Sequence, residues 1–149
     1  MKRHPALANF SRDHHAALIL ARLLQNNAPV YKGLPADIAG KVEYAIKFYT
    51  EELIAHFKLE EESFSLVKCI DKQLDELIMV ILQEHEELHE TFASIGSHPV
   101  SALQADRLGI LLENHIRKEE RVLFPLIQKV CTEELLQAIH SSLSHHYRK

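Results

Sequence analysis

Residues 74–92 read LDELIMVILQEHEELHETF. Their apolar side chains recur every three or four residues, so the segment predicts a long amphipathic α-helix. The face that should meet a core comprises Leu74, Ile78, Ile81, His85, Leu88, His89 and Phe92. Two histidines one helical turn apart are therefore expected to face the interior of the protein.

The rest of the chain predicts three more long helices and a short one. Only 4 glycines and 5 prolines occur, and they cluster at a few places, as in helical proteins with short links. The long helices are expected at about 8–26, 35–67, 71–95 and from 101 onward, and Pro125 should kink or end the last of these. A shorter helix carrying Leu135, Ile139 and Leu143 follows. We therefore predict one all-α domain over residues 1–149, an up-down-up-down four-helix bundle with a short C-terminal helix.

Composition excludes several classes of function. The net charge is -4, with 17 Lys and Arg against 21 Asp and Glu, so there is no basic surface for nucleic acid. The longest apolar run is residues 77–82, too short for a membrane span, and no apolar stretch follows the basic start of the chain. Cys69 and Cys131 have no paired spacing. These features predict a cytoplasmic protein that binds neither nucleic acid nor membrane.

Histidine is unusually frequent, with 11 in 149 residues. Three predicted core faces carry pairs of potential metal ligands four residues apart, which lie one turn apart on the same face. These pairs are His56 with Glu60, His85 with His89, and His115 with Glu119. The first helix offers His14 or His15. His14 is favoured because it shares a face with Phe10 and Ala17, whereas His15 shares one with Ser11 and Arg22.

All four helices bring histidine to one level of the predicted bundle. In an antiparallel pair, residues equidistant from the turn lie at equal height, and His56, His85 and His115 are so placed about the turns near Asp71 and Pro99. His56-x3-Glu60-Glu61 is echoed 59 residues later by His115-x3-Glu119-Glu120. Such related halves suit two metal ions with bridging carboxylates and terminal imidazoles, iron being the leading candidate. The candidate metal ligands are His14, His56, Glu60, His85, His89, His115 and Glu119.

The fourth helix offers two neighbouring carboxylates. Glu119 follows His115 by four residues and is turned from it by about 40°, whereas Glu120 is turned by about 140°. Glu119 is therefore the predicted ligand, and Glu120 would need a widened helical turn to reach the core.

With these four motifs in order, almost the whole chain resembles the bacterial hemerythrin-like domains, the histidine-histidine-glutamate (HHE) cation-binding family. The resemblance implies that His85, His89 and His115 hold one iron. It also implies that His14 and His56 hold the other, which keeps a position open for a small ligand. Glu60 and Glu119 would bridge the two irons together with an oxo or hydroxo group. In one respect the chain departs from oxygen-carrying hemerythrins, which place an aspartate five residues after the last histidine, where this chain has Glu120.

The predicted function is that of a non-haem di-iron protein that binds or senses a small diatomic ligand, oxygen or nitric oxide. A di-iron enzyme, an iron-delivery or repair factor, and a metal-stabilised interaction bundle are the alternatives. No catalytic nucleophile is evident, which favours binding over catalysis. The remaining histidines and the acidic run of the third helix are expected in solvent: His4, His98, His140, His145 and His146, with Glu84, Glu86, Glu87 and Glu90. Both cysteines are expected to be at least half-buried.

Overall fold

The computed structural model describes residues 2–97 and 99–147, apart from the side chain of His145. The predictions for His98 and for the His145 side chain lie outside this part. The described residues form five helical segments and no strand: α1 (Pro5–Leu23), α2 (38–65), α3 (Lys72–Ser97), α4 (102–130) and α5 (Glu133–Tyr147). The predicted all-α bundle with a short C-terminal helix is confirmed.

Helices α2 and α4 each contain a π-helical turn. In α2 the turn Tyr49–Leu53 separates Ile38–Phe48 from Ile54–Ser65, and in α4 the turn Glu119–Leu123 separates Ala102–Lys118 from Phe124–Val130. In α4 the Phe124 N–H donates to the carbonyl of Glu119, five residues back. Pro125 then occupies the first turn of the following segment, where its missing N–H costs least. Pro125 thus marks a break in the α-helical hydrogen bonding, and the chain stays helical to Val130.

Local capping explains where the helices begin. His4 caps α1 by accepting the Ala6 N–H at Nδ1, 2.9 Å away, and its Nε2 lies 3.0 Å from Glu133. The helix therefore starts at Pro5, earlier than predicted, and the prediction that His4 is solvated is wrong. Helix α2 begins after Asp37, not at Pro35, because the Asp37 carboxylate accepts the Gly40 N–H.

Helices α1 and α4 run antiparallel. Arg3 at the start of α1 donates to the late α4 residue Glu120, whereas Gln25 beyond the end of α1 donates to Glu113, earlier in α4. Gly109 allows these two helices to approach closely, since a Cβ at this position would lie 2.5 Å from the carbonyl oxygen of Ala21.

The apolar core consists of two clusters. One contains Phe10, Phe64, Ile81 and Phe124, and α5 adds Ile139 and Leu143 to it. The other contains Ala17, Phe57, Leu88, Leu112 and Ile116. On every long helix the boundary between the clusters falls at a predicted metal-ligating residue, so the bundle has a buried polar layer between two apolar ones.

Two further sequence predictions concern the surface. Among the described residues, no helix combines the length and apolarity needed to cross a membrane. Both cysteines are free; Cys131 is buried as expected, but Cys69 is exposed. Cys69 lies in the link between α2 and α3 and has a φ of 63°, in the left-handed region.

Candidate metal centre

Four histidines, one from each long helix, converge with two glutamates in the polar layer. The residues are His14, His56, His85 and His115, each at most 5% exposed, with Glu60 and Glu119, which are fully buried. They form two groups that could each hold a metal ion. One group is His14, His56, Glu60 and Glu119, the other is Glu60, His85, His115 and Glu119, and in each the ligand atoms lie within 4.8 Å of one another.

Both carboxylates lie between the two groups. Glu60 faces His56 through Oε2 and His85 through Oε1, in each case 3.2 Å from the imidazole Nε2. Glu119 Oε1 lies 2.8 Å from Nε2 of His115 and 3.5 Å from Nε2 of His14. Each glutamate therefore reaches a histidine of either group, as carboxylates that bridge two ions must.

Most of these inward-facing atoms lack a hydrogen bond of acceptable geometry. They are Nε2 of His85 and His115 and both carboxylate oxygens of Glu60 and Glu119. A buried polar group without a partner costs about 1–3 kcal/mol, and more when it is charged. Two metal cations would satisfy all of these atoms, so the donor set fits the metal centre that the sequence predicts.

Each histidine is oriented from outside the layer by a carboxylate at Nδ1. His14 pairs with Glu120 at 2.7 Å and His56 with Asp13 at 3.0 Å. The pairs in the other group are His85 with Glu61 and His115 with Glu84, both at 2.7 Å. Because Nδ1–H donates to a carboxylate in every case, Nε2 is the nitrogen left to bind a metal ion.

This arrangement has an internal two-fold pattern. Equivalent residues are 71 positions apart in α1 and α3 and 59 positions apart in α2 and α4. Asp13 and His14 thus correspond to Glu84 and His85. In the other pair of helices, His56, Glu60 and Glu61 correspond to His115, Glu119 and Glu120. Every ligand and every orienting carboxylate of one group thus has a counterpart in the other. The repeated sequence pattern therefore corresponds to two equivalent candidate metal positions.

Electrostatics in the metal-free layer favours protonated imidazoles. Burial opposes the charged form of each histidine, but the glutamates outweigh it and raise the pKa of His56 and of His115 to about 9. The pKa values of His14 and His85 are raised for the same reason. Burial works against the Glu60 carboxylate as well, yet the surrounding imidazoles lower its pKa well below the usual value. Protons thus supply the positive charge that metal ions would bring.

Two pairs of candidate ligands are adjacent in the sequence, His14 with His15 and Glu119 with Glu120, and the members of each pair lie in different surroundings. His14 is buried in the layer, whereas His15 is exposed. Glu119 points inward with the other ligands, and the π turn that begins there leaves Glu120 to accept from Ser11 at 2.8 Å and to orient His14. From its position in the sequence, Glu120 would need a widened helical turn to become a ligand. The π turn is such a turn, yet Glu120 belongs to neither group of candidate ligands.

His89 is not brought together with the other predicted ligands. It is partly buried one turn beyond His85, and its Nδ1 and the Tyr49 hydroxyl share a short hydrogen bond of 2.5 Å. The rings of Tyr49 and Phe57 contact it edge-on. His89 therefore lies in the neighbouring apolar layer, outside both groups.

The orienting carboxylates are the site residues that sequence reasoning missed. The expectation that Glu84 is solvated is wrong, since it is largely buried, pairs with His115 and binds Lys118. Glu86, Glu87 and Glu90 are exposed as expected, as are His140 and His146. The sequence does hold one signal for them. Each orienting carboxylate is adjacent in the chain to a candidate ligand of its own helix, and it orients a histidine that belongs to a different helix.

Comparison with known families agrees with this geometry. The family model described as "Hemerythrin HHE cation binding domain" matches residues 6–127. The chain belongs to this family. The comparisons found no matching curated protein and no matching solved structure. Helix α5 lies beyond the matched segment.

Proposed function

We propose that the protein is a non-haem di-iron protein that binds or senses a small diatomic ligand, oxygen or nitric oxide, at an open iron position. The observation that carries this proposal is the pair of buried groups that share Glu60 and Glu119. Each ion would receive two imidazoles and two carboxylate oxygens. Ligand sets of histidine with carboxylate that leave positions open are typical of non-haem iron. Iron bound here would supply a redox-active centre with free coordination positions.

The two proposed iron positions differ in their access to solvent. A cavity of about 640 Å³ lies between α1, α2 and the end of α5. Among the described residues, the centre histidines on its wall are His14 and His56. The side chains of His85 and His115 are fully buried, whereas those of His14 and His56 are 3% and 5% exposed. A small ligand would therefore reach the ion held by His14 and His56, which supports the open position on that side.

The proposed ligands are His14, His56, Glu60, His85, His115 and Glu119. For His89 to be a seventh ligand, it would have to bind iron through Nε2 while its Nδ1 stays hydrogen-bonded to the Tyr49 hydroxyl. Comparing His89→Ala with His85→Ala tests this point. If His89 is not a ligand, its variant keeps both irons while His85→Ala loses at least one.

Anaerobic reconstitution with ferrous iron tests the function itself. We expect about two irons per chain, and an optical change when oxygen or nitric oxide is added to the reduced protein. His56→Ala should lose iron and the optical response, whereas His140→Ala, which changes an exposed histidine on α5, should keep both. Uptake of a single zinc with no iron pair, or an iron pair inert to both gases, would contradict the proposal. Steady-state turnover with a reductant would favour an enzyme instead.

A further inference from the structure

Helix α5 contacts Asp13, the carboxylate that orients His56, although it lies outside the segment that matches the family model. Near its end, the Tyr147 hydroxyl donates to Oδ2 of Asp13 at 2.8 Å. The same oxygen lies 3.0 Å from Nδ1 of His56. A chain of two hydrogen bonds therefore joins the last described residue of α5 to an imidazole that faces the metal site.

Packing holds this chain in place. The ring of Tyr147 contacts Phe10 edge-on with centroids 6.5 Å apart, and Phe10 contacts the ring of His56 at 5.6 Å. Burial raises the pKa of Tyr147 above its usual value, and so does the hydrogen bond to Asp13. The phenol therefore stays protonated and remains the donor.

The corresponding carboxylate of the other half is held differently. Glu84 is the counterpart of Asp13, and its second oxygen binds the Lys118 ammonium. Glu84 is 17% exposed, whereas Asp13 is 38% exposed and lines the cavity. Without the Tyr147 hydroxyl, the more exposed carboxylate could turn to water and release the ring of His56.

We propose that Tyr147 is a positioning residue for the metal position of His14 and His56, where it fixes Asp13 and, through Asp13, the imidazole of His56. The inference rests on the proposed di-iron function. It gives α5 a role in tuning one ion of the pair, the one beside the cavity, and leaves the other ion unaffected.

Tyr147→Phe tests this role because it removes only the hydroxyl and keeps the ring on Phe10. The matched control is Tyr44→Phe, since Tyr44 lines the same cavity and its ring contacts Phe48. Full-length variants are titrated anaerobically with ferrous iron-57, and Mössbauer spectra of the loaded proteins report each iron separately. Loss of a group that orients a metal ligand weakens metal binding by about 10- to 100-fold. The Tyr147 hydroxyl is one hydrogen bond further from the metal site, so its loss should weaken iron binding by about 3- to 10-fold.

We expect Tyr147→Phe to weaken one of the two binding steps and to alter the quadrupole doublet of one iron, while Tyr44→Phe matches wild type. In an Asp13→Asn background, Tyr147→Phe should add no further loss. A Tyr147→Phe protein with wild-type affinities and spectrum would overturn the proposal. Equal weakening of both steps would do the same, because it would mean that α5 supports the bundle as a whole. A wild-type chain that takes up no iron pair would instead contradict the proposed function.

Discussion

Metal affinity of the centre should rise steeply with pH, because iron and protons compete for the same imidazoles. His56 belongs to one group and His115 to the other, and both have a pKa of about 9 in the metal-free protein. At pH 7 both are protonated, and only the neutral ring can bind a metal ion. Each ion must therefore displace at least one proton. His85, whose pKa is also raised, adds to the effect on its ion. In the other group, Nε2 of His14 lies 3.1 Å from Nε2 of His56, so at most one of these two nitrogens carries a proton.

The size of the effect follows from these pKa values. For one group with a pKa of about 9, the neutral fraction rises about ninefold between pH 7 and pH 8. The apparent dissociation constant of each ion should fall by about the same factor, which corresponds to about 1.3 kcal/mol. Protons bound by His56 and His115 stabilise the metal-free fold fully below the unfolded pKa of 6.5, and this contribution is lost as pH rises through about 9. The holo and apo melting temperatures should therefore diverge as pH increases.

Anaerobic competition against a ferrous chelator of known pH-dependent affinity, from pH 6.5 to 8.5, measures this slope. Calorimetry in buffers of different ionisation enthalpy counts the released protons independently. The exposed-residue variant His140→Ala should follow the wild-type line. A dissociation constant that is flat over this range, or that increases with pH, would refute the competition and with it the protonated state inferred for the metal-free layer.

Two other predictions concern single side chains. Glu119→Ala should lose one or both irons. Glu120→Ala should keep two irons at saturation and bind one of them about 10-fold more weakly, because Glu120 orients His14. Iron analysis and titration distinguish the two variants, and the reverse result would exchange the roles of the two glutamates. Gly109→Ala should destabilise the holoprotein by about 1–3 kcal/mol through the clash with the α1 backbone. In Gly96→Ala the new Cβ meets Ile46 at an ordinary 3.6 Å, so this variant should match or exceed wild type in urea unfolding.

Much of the fold and most of the candidate centre could be predicted from the sequence because both depend on helical periodicity. Ligands such as His56 and Glu60 lie one turn apart on one face, and short links between antiparallel helices set their level. The same rule could not exclude His89, which is one turn beyond His85 on the same face. The polar layer is only one turn thick there, and the next turn belongs to the layer of Tyr49 and Phe57.

Other features depend on contacts between helices, which a single helix pattern does not report. Asp13 and Glu84 precede a ligand in the chain but orient a histidine on a different helix. Their roles follow only once the order and spacing of the helices are known. The π turns were likewise not predicted, since a widened turn has no residue pattern of its own; Pro125 alone indicated a break, and no proline accompanies the turn at Tyr49–Leu53.

Because the two-fold pattern makes the two groups equivalent in their ligands and orienting carboxylates, any functional difference between the ions must come from residues that break it. Features of this kind lie on both sides. Beside His14 and His56 are the cavity and the Tyr147 hydroxyl from α5. Beyond His85 is the hydrogen bond between His89 and Tyr49, whose counterparts by the same shifts are the apolar Leu18 and Leu108. In the proposed di-iron protein, the first feature would admit a ligand and tune one imidazole, and the second would add polar groups behind the enclosed ion. The chain thus surrounds a symmetric layer of candidate metal ligands with asymmetric neighbours, and that asymmetry supports the proposed division between one iron that would meet the ligand and one that would stay enclosed.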